Sequence, residues 1–420
     1  MVILKKGEWK LFGALYSSLF LGMAMPNIYV VQALFFLSRG ISLTELGIGF
    51  AIIKLFKLIS EVPTGAIADL YGKKVSIQIQ LFFYSICSFL FLFVTQGWHM
   101  YLLFAVEGVA GAFASGAYEA LPYEIAKKAK RTDLINEYAG KGSFLREVAH
   151  FISYFGAVAF LFLVGGETVY TLLGISFKGL DLLWIPTSLG FLIAFVLMFK
   201  VKEEVVPRKV NLKQDFIDAY RVSVEGLKYA KSHPVISKLF AASFFFAISF
   251  FLFDHHVHQP FLQDLGFNAE SIALLTALAS LVGAGLSLIP KSIEKRFKTE
   301  KHFLEFTVIL QLILLAGLFF FNKIFAFGVL FFFIYYNIHR SFREPIFGPF
   351  KQLFMKDEIR ATIGSVESLI ISIGGIIFLP LAGYLVDTYG AINTTLSAFI
   401  PLALGLIVLY TIKMNGRVNH

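Results

Sequence analysis

Cysteine is nearly absent from this sequence. Cys87 is alone among 420 residues, so no intramolecular disulfide forms and the fold asks for no oxidising compartment. It sits in an apolar run, where a thiol behaves as a small buried hydrophobe. Charge is scarce too, at 15% of residues against about 25% in a typical soluble chain. There is no G-x-x-x-x-G-K-[ST] loop, which excludes ATP hydrolysis by this chain as an energy source. No H-E-x-x-H, G-x-S-x-G or paired-cysteine motif supports an enzyme, and none calls for a cofactor or metal. Short alternating segments of about ten residues, as a membrane barrel would need, are missing. The basic start, Met1 to Lys10, leads into an apolar run without a small-residue cleavage site, so we read a retained first helix.

What fills the space is hydrocarbon. Hydrophobic residues make up 57% of the chain and its mean hydropathy is +0.74. They fall in long runs, each near the roughly 20 residues a helix needs to cross a bilayer. The runs predict transmembrane helices over 11–37, 43–68, 75–95, 98–125, 138–164, 182–201, 236–262, 269–290, 302–321, 324–350, 359–386 and 391–412. An even number places both termini on one side. The connecting segments on that side carry 29 of the 37 Lys and Arg residues, and those on the other carry 3, Arg39, Lys178 and Lys323. Cationic segments stay in the cytoplasm, so both termini are expected there. The net charge of +9 is then a topology signal and speaks against nucleic acid as a partner. The expected class is an all-α, multi-pass protein of the cell (inner) membrane, a lipid-solvated monomer.

The chain also resembles itself. Phe36-Leu37-Ser38-Arg39-Gly40-Ile41-Ser42 echoes Leu262-Gln263-Asp264-Leu265-Gly266-Phe267-Asn268, 226 residues on. In each copy a Gly closes one helix and a Ser or Asn can cap the next; Ser42 and Glu45 further fit a capping box. Glu119, Asp133 and Gly140 correspond to Glu344, Asp357 and Gly364 at nearly the same offset. We therefore expect two six-helix halves, 1–201 and 236–420, joined by a linker over 202–235. Asp215 to Lys231 in that linker reads as an amphipathic helix on the membrane surface. Parallel repeats of this kind match transporters whose substrate sits between two rocking halves.

Between the second and third helices stands Gly65-Ala66-Ile67-Ala68-Asp69-Leu70-Tyr71-Gly72-Lys73-Lys74, preceded by Glu61. A Gly, an Asp four residues on, a Gly three later and a basic pair resemble the signature loop of the major facilitator superfamily. Gly65 would let the helix approach a neighbour, Gly72 would permit a tight turn, and Asp69 would accept hydrogen bonds from a helix N-terminus. The resemblance implies that this N-terminus belongs to helix 11, with Lys73 and Lys74 completing a cytoplasmic latch. It covers the whole chain in topology and is motif-level at this loop. The chain departs from the drug-antiporter branch, since Ser153 to Ala157 lacks a Pro. It also has Glu107, where many proton-coupled members have an Arg, ahead of Gly108, Gly111 and Gly116.

Ionisable groups in hydrocarbon are costly and usually face the bundle interior or water. Glu107 lies about 13 Å below the surface at 1.5 Å per residue. It is the candidate proton carrier, with Gly111 and Tyr118 expected on its face. Tyr336, Arg340 and Arg343 recur at helical spacing on helix 10, as do Arg146 and His150 on helix 5. Together they could hold an anionic group on the substrate, or be neutralised by Glu147 and Glu344. Asp254, His255 and His258 on helix 7, and Asn27, Tyr29 and Gln32 on helix 1, are further cavity candidates. Few convergent ligands are visible among the histidines, so no metal is expected. Lys57 and Glu61 form an i, i+4 pair, and Lys57 is expected to meet Glu367 as part of a cytoplasmic gate.

These features point to secondary active transport of a small molecule by alternating access, with protons as the coupling ion and efflux as one direction. An uncoupled facilitator, a lipid translocator or a transport-inactive sensor could use the same fold. Reporter fusions to residues 1 and 420 should both report the cytoplasm; termini on opposite faces would overturn the span assignment.

Overall fold

In a computed structural model of the chain, residues 5–172, 175–205, 211–254, 256–286, 296–297, 299–355 and 360–412 are described. The first half contains α1 (Glu8–Ala24), α2 (Gln32–Ser38), α3 (Leu43–Tyr71), α4 (Lys73–Phe91), α5 (Gly97–Ala114), α6 (Ala117–Lys128), α7 (Ile135–Val164) and α8 (Trp184–Met198). The linker holds α9 (Leu212–Ser232). The second half continues with α10 (Pro234–Phe251), α11 (His258–Asp264), α12 (Ala269–Leu286), α13 (Glu300–Phe321), α14 (Phe325–Asn337) and α15 (Glu344–Gln352). It ends in α16 (Arg360–Tyr389), α17 (Ala391–Ser397) and α18 (Phe399–Tyr410).

Among the described residues, nine helical segments are long and apolar enough to cross a membrane. The stretches over α1 and α2, over α3, and over α14 and α15 complete the twelve crossings. The first and tenth crossings are broken into shorter helices, and α3 carries Lys54, Lys57 and Glu61.

Several expected helices are interrupted, and at the first break the freed backbone groups are repaired by side chains of other helices. No water reaches them in hydrocarbon, so protein groups must satisfy them. The first crossing breaks at Pro26. The Met25 carbonyl accepts from Ser153 Oγ at 2.7 Å, and Ile28 N–H donates to Thr187 Oγ1 at 3.0 Å. Asn27 caps the short turn that follows, accepting from Tyr29 N–H at 2.8 Å. The fourth crossing breaks at Gly116, whose φ of +76° suits glycine. The seventh breaks between Phe251 and His258, and the tenth passes through a π-helical stretch, Ile338–Arg343. The sequence reading had none of these interruptions. It also had no strands, yet β1 (Val169–Leu172) and β2 (Ile175–Lys178) pair antiparallel between the fifth and sixth crossings.

The chain divides into two compact units. Unit 1 comprises Met1–Ile41, Ile52–Ile217 and Asn268–Ala277; unit 2 comprises Ser42–Ala51, Asp218–Phe267 and Leu278–His420. These are the two sequence halves, except that each holds the first turns of a helix that otherwise belongs to the other. The exchanged segments stand 226 residues apart at both ends, the offset of the sequence echo.

Within unit 1, α1 packs against α7 and α8, and α4 against α5 and α8. Small residues set the α1–α8 distance: a Cβ on Gly22 would lie 2.6 Å from that of Ala194. Such residues let membrane helices touch at their backbones. Lys141 on α7 reaches Glu8 at the start of α1 at 2.6 Å. In unit 2, α10 packs against α16 and α18.

The signature loop lies in unit 1. Gly72 takes φ +100°, Lys73 Nζ meets Asp69 at 2.5 Å, and Lys74 Nζ donates to the Phe199 carbonyl at 3.1 Å. Among the described residues no atom lies within 4 Å of where a Gly65 Cβ would stand, and residues 356–359, just before the helix 11 start that the sequence pairs with this loop, lie outside them. The first turn of α4 is closed by a residue the sequence reading missed. Glu203 spans Lys73 N–H and Lys74 N–H, both at 2.8 Å. An acidic side chain over two unsatisfied N–H groups satisfies both and opposes the helix dipole. Glu203→Ala should cost about 1 kcal/mol, read as a lower thermal midpoint of the solubilised protein, with Glu203→Gln losing less.

Candidate functional site

The charges of unit 2 gather where its helices are irregular. Leu252 ends α10, and Asp254 sits in the interruption, its N–H donating to the Phe250 carbonyl at 2.8 Å. Arg340 lies in the π-helical stretch of the tenth crossing. Single π turns recur at functional sites because the extra residue re-aims side chains. The two irregularities face each other: Arg340 Nε donates to Asp254 Oδ2 at 3.0 Å, and its Nη2 contacts the same oxygen. Asp254 is the partner that the sequence reading did not identify for Arg340. Its side chain is 2% exposed, against 44% for Arg340. His258, the first residue of α11, places Nδ1 3.5 Å from Asp254 Oδ1.

Tyr336, Arg340 and Arg343 do not form one common face, because the π stretch turns the two arginines apart. Arg340 lies over the rings of Tyr336 and Phe250, at 4.9 and 5.4 Å. Arg343 is 1% exposed and goes inward, over Phe246 at 4.3 Å. Its Nη1 donates to Gln311 Oε1 at 2.7 Å and its Nη2 contacts His339 Nδ1. Among the described residues no carboxylate forms an ion pair with it, so the expected neutralisation by Glu344 is not made as a direct contact. A cavity of about 10 Å³ is lined by Asp254, Gln311, Tyr335, Tyr336, His339 and Arg343 among others. That is space for about one water.

In unit 1, Glu107 lies on α5, 6% exposed, and its Oε1 accepts no hydrogen bond among the described residues. Glycine holds this helix tight against its neighbours. A Cβ on Gly108 would lie 2.6 Å from the Ile53 carbonyl oxygen, and one on Gly111 2.9 Å from Tyr84 Oη and 4.0 Å from Lys57 Cδ. Lys57 therefore stands beside the helix that carries Glu107. Tyr118 lies past the Gly116 break and is exposed, so it does not continue Glu107's face. Tyr84 was missed in the sequence; among the hydroxyls of the third helix, with Ser76, Ser85 and Ser88, nothing local set it apart.

Other candidates are placed as follows. Glu367 is held within unit 2 by Lys351 Nζ and Ser243 Oγ, both at 2.6 Å. Arg146 is exposed; His150 is half-buried and lies 5.9 Å from the Tyr154 ring. Gln32 is buried, while Asn27 is a cap, as above. His256 is buried against Phe50, and His255 lies outside the described residues. Among the described residues no group of His, Cys, Asp or Glu is arranged to hold a metal.

Residues 12–342 match the family described as the Major Facilitator Superfamily. The uncharacterized MFS-type transporter YxaM of Bacillus subtilis (strain 168) is 25% identical over 405 residues, which is 95% of this chain and 94% of YxaM. Among solved structures, the nucleoside transporter NupG superposes with a TM-score of 0.66 at 13% identity, covering 95% of this chain and 98% of its own. A D-xylose-proton symporter gives 0.66 at 12% identity, covering 94% and 95%.

The Asp254–Arg340 pair is asymmetric, and its mutants should show it. Arg340→Ala strands a buried carboxylate and should destabilise by about 3 kcal/mol. Asp254→Ala leaves a half-exposed guanidinium and should cost less. The double variant should recover most of the Arg340→Ala loss; additive losses in thermal unfolding would dismiss the coupling.

Proposed function

The chain belongs to the Major Facilitator Superfamily, a family of multi-pass membrane transporters and not of enzymes, and on that premise we propose proton-coupled secondary active transport of a small molecule. The substrate carries an anionic group. The protein resides in the cell membrane with both termini in the cytoplasm, as the 29-to-3 split of Lys and Arg supports.

The observation that carries proton coupling is Glu107. It is a carboxyl group in the middle of a crossing, buried, with Oε1 lacking a hydrogen-bond donor among the described residues. Ionised carboxylates are costly in hydrocarbon. A carboxyl that gives up its proton on meeting water and regains it before burial moves one proton per cycle. The Tyr84 hydroxyl and Lys57 on adjoining helices are polar neighbours able to respond to that change. Coupling by a buried acid needs no ATP, in keeping with a chain that has no phosphate loop.

The anionic substrate group is supported by Arg343 and Arg340. A guanidinium offers a planar fork of donors that matches carboxylate and phosphate. Arg343 has aromatic, amide and imidazole neighbours but no carboxylate ion pair among the described residues, which leaves its charge available to a ligand. Arg340 is held by Asp254 through one oxygen, and a competing anion could displace that contact.

Purified protein in liposomes loaded with a pH-sensitive dye tests this against a panel of organic anions, nucleosides, sugars and amino acids. A substrate should carry protons with it. Glu107→Gln should abolish the proton flux while preserving substrate exchange, and Arg343→Gln should weaken anionic substrates at least about tenfold, the loss of one charge-assisted hydrogen bond. Transport indifferent to pH and to Glu107→Gln would favour a facilitator instead.

A further inference from the structure

The spacing of the signature loop occurs a second time, in a place with no assigned role. Gly383-Tyr384-Leu385-Val386-Asp387-Thr388-Tyr389-Gly390 repeats Gly65, Asp69, Tyr71 and Gly72 position for position. The backbone repeats as well. Gly72 has φ +100° and ψ 157°, and Gly390 has φ +83° and ψ 160°. Each glycine ends a long helix, α3 or α16, and the next helix starts at the following residue. The second copy lacks the basic pair. It follows the eleventh crossing, so it lies on the membrane face opposite the termini, whereas the first copy lies on their face.

The second copy does what the sequence expected of the first. Gly383 permits a backbone approach, since a Cβ there would collide with the Leu43 carbonyl oxygen; Gly47, one turn on, would likewise collide with the Leu379 carbonyl. Asp387 then accepts from a helix N-terminus. Oδ1 takes Leu43 N–H at 3.1 Å, and Oδ2 takes Thr44 N–H at 2.7 Å and Thr44 Oγ1 at 2.5 Å. Asp69 in the first copy holds Lys73 in its own loop.

The helix that Asp387 holds is special. Residues Ser42–Ala51 at the start of α3 belong to unit 2, and the rest of α3 belongs to unit 1. The pseudo-equivalent helix α12 has its first turns, Asn268–Ala277, in unit 1. There the contact is inverted in direction but alike in chemistry: Glu270 Oε1 accepts from Gly166 N–H at 2.9 Å. Both helices that pass from one unit to the other are thus tied at their first turn by a carboxylate on backbone N–H groups.

We propose that Gly383–Gly390 is a second signature loop and Asp387 its latch, closing on the first turn of α3 and releasing it in each transport cycle. The inference rests on the alternating-access reading. A cap and a latch make the same hydrogen bonds, but only a latch must open. A carboxylate on N–H groups suits this, because water can replace it at small net cost when the face opens.

The test uses the full-length protein in nanodiscs, with Cys87→Ser as background and one reporter cysteine at a time. Leu43→Cys reports the Asp387 end of α3, and Ala66→Cys the signature-loop end; both sites are buried. Maleimide labelling rates are compared with and without Asp387→Asn. We expect labelling at residue 43 to rise at least about fivefold, the low end of a conformational coupling, and labelling at residue 66 to fall. A rise at both sites would mean general loosening and reduce Asp387 to a structural cap. No change at either would also overturn the latch. Asp69→Asn should act with opposite sign, which a stability loss cannot mimic. Labelling needs no substrate, so reciprocal shifts in a protein that transports nothing in liposomes would sink the proposed function and leave the latch standing.

Discussion

A backbone N–H group inside a membrane has no water to turn to, and most of this architecture follows from how its exposed N–H groups are answered. Regular helix answers nearly all of them, at the cost of leaving the first turn of each helix open. This chain closes those openings repeatedly with carboxylates. Glu203 bridges two successive N–H groups at α4, Asp387 bridges two at α3, and Glu270 reaches Gly166. Glu45 answers Ser42 N–H in a capping box. The acidic residue supplies an acceptor and a charge that opposes the helix dipole. A carboxylate so engaged is tolerated near the membrane, because its own hydrogen-bonding capacity is used.

The same rule explains where the functional charges lie. An unbroken helix offers an ion no backbone partner, and its neighbours in hydrocarbon are apolar. Asp254 stands in an interruption and Arg340 in a π stretch, so the irregular backbone turns the two side chains toward each other. The helix break at Pro26 is mended by Ser153 and Thr187, and leaves Asn27 occupied as a cap. Polar residues of these bundles therefore divide into those that repair backbone and those that retain chemistry for a ligand. Glu107, with Oε1 accepting no hydrogen bond among the described residues, is proposed above to belong to the second kind.

Much of this was legible beforehand. Hydropathy pointed to a bundle of long membrane-crossing helices, since it depends on composition averaged over about 20 residues. The capping box at Ser42 was readable because its two partners are three residues apart. What escaped depends on contacts distant in sequence. The breaks near Met25 and Phe251 rely on side chains from other helices, which no local pattern records. The Lys351 and Ser243 partners of Glu367 come from two other helices of its own unit, at separations no motif marks. The strands at 169–178 are too short to stand out against their apolar flanks. Glu203 lay in a linker read only for its basic charge. Gly383 to Gly390 was hidden inside an apolar span; aligning each glycine-bounded helix end against the signature loop would have found it.

The exchange of Ser42–Ala51 for Asn268–Ala277 has a consequence for any attempt to separate the halves. A cut in the linker leaves each fragment without ten residues of its compact unit. The stretch it lacks travels with the other fragment. The two fragments must therefore be made together if both units are to be complete.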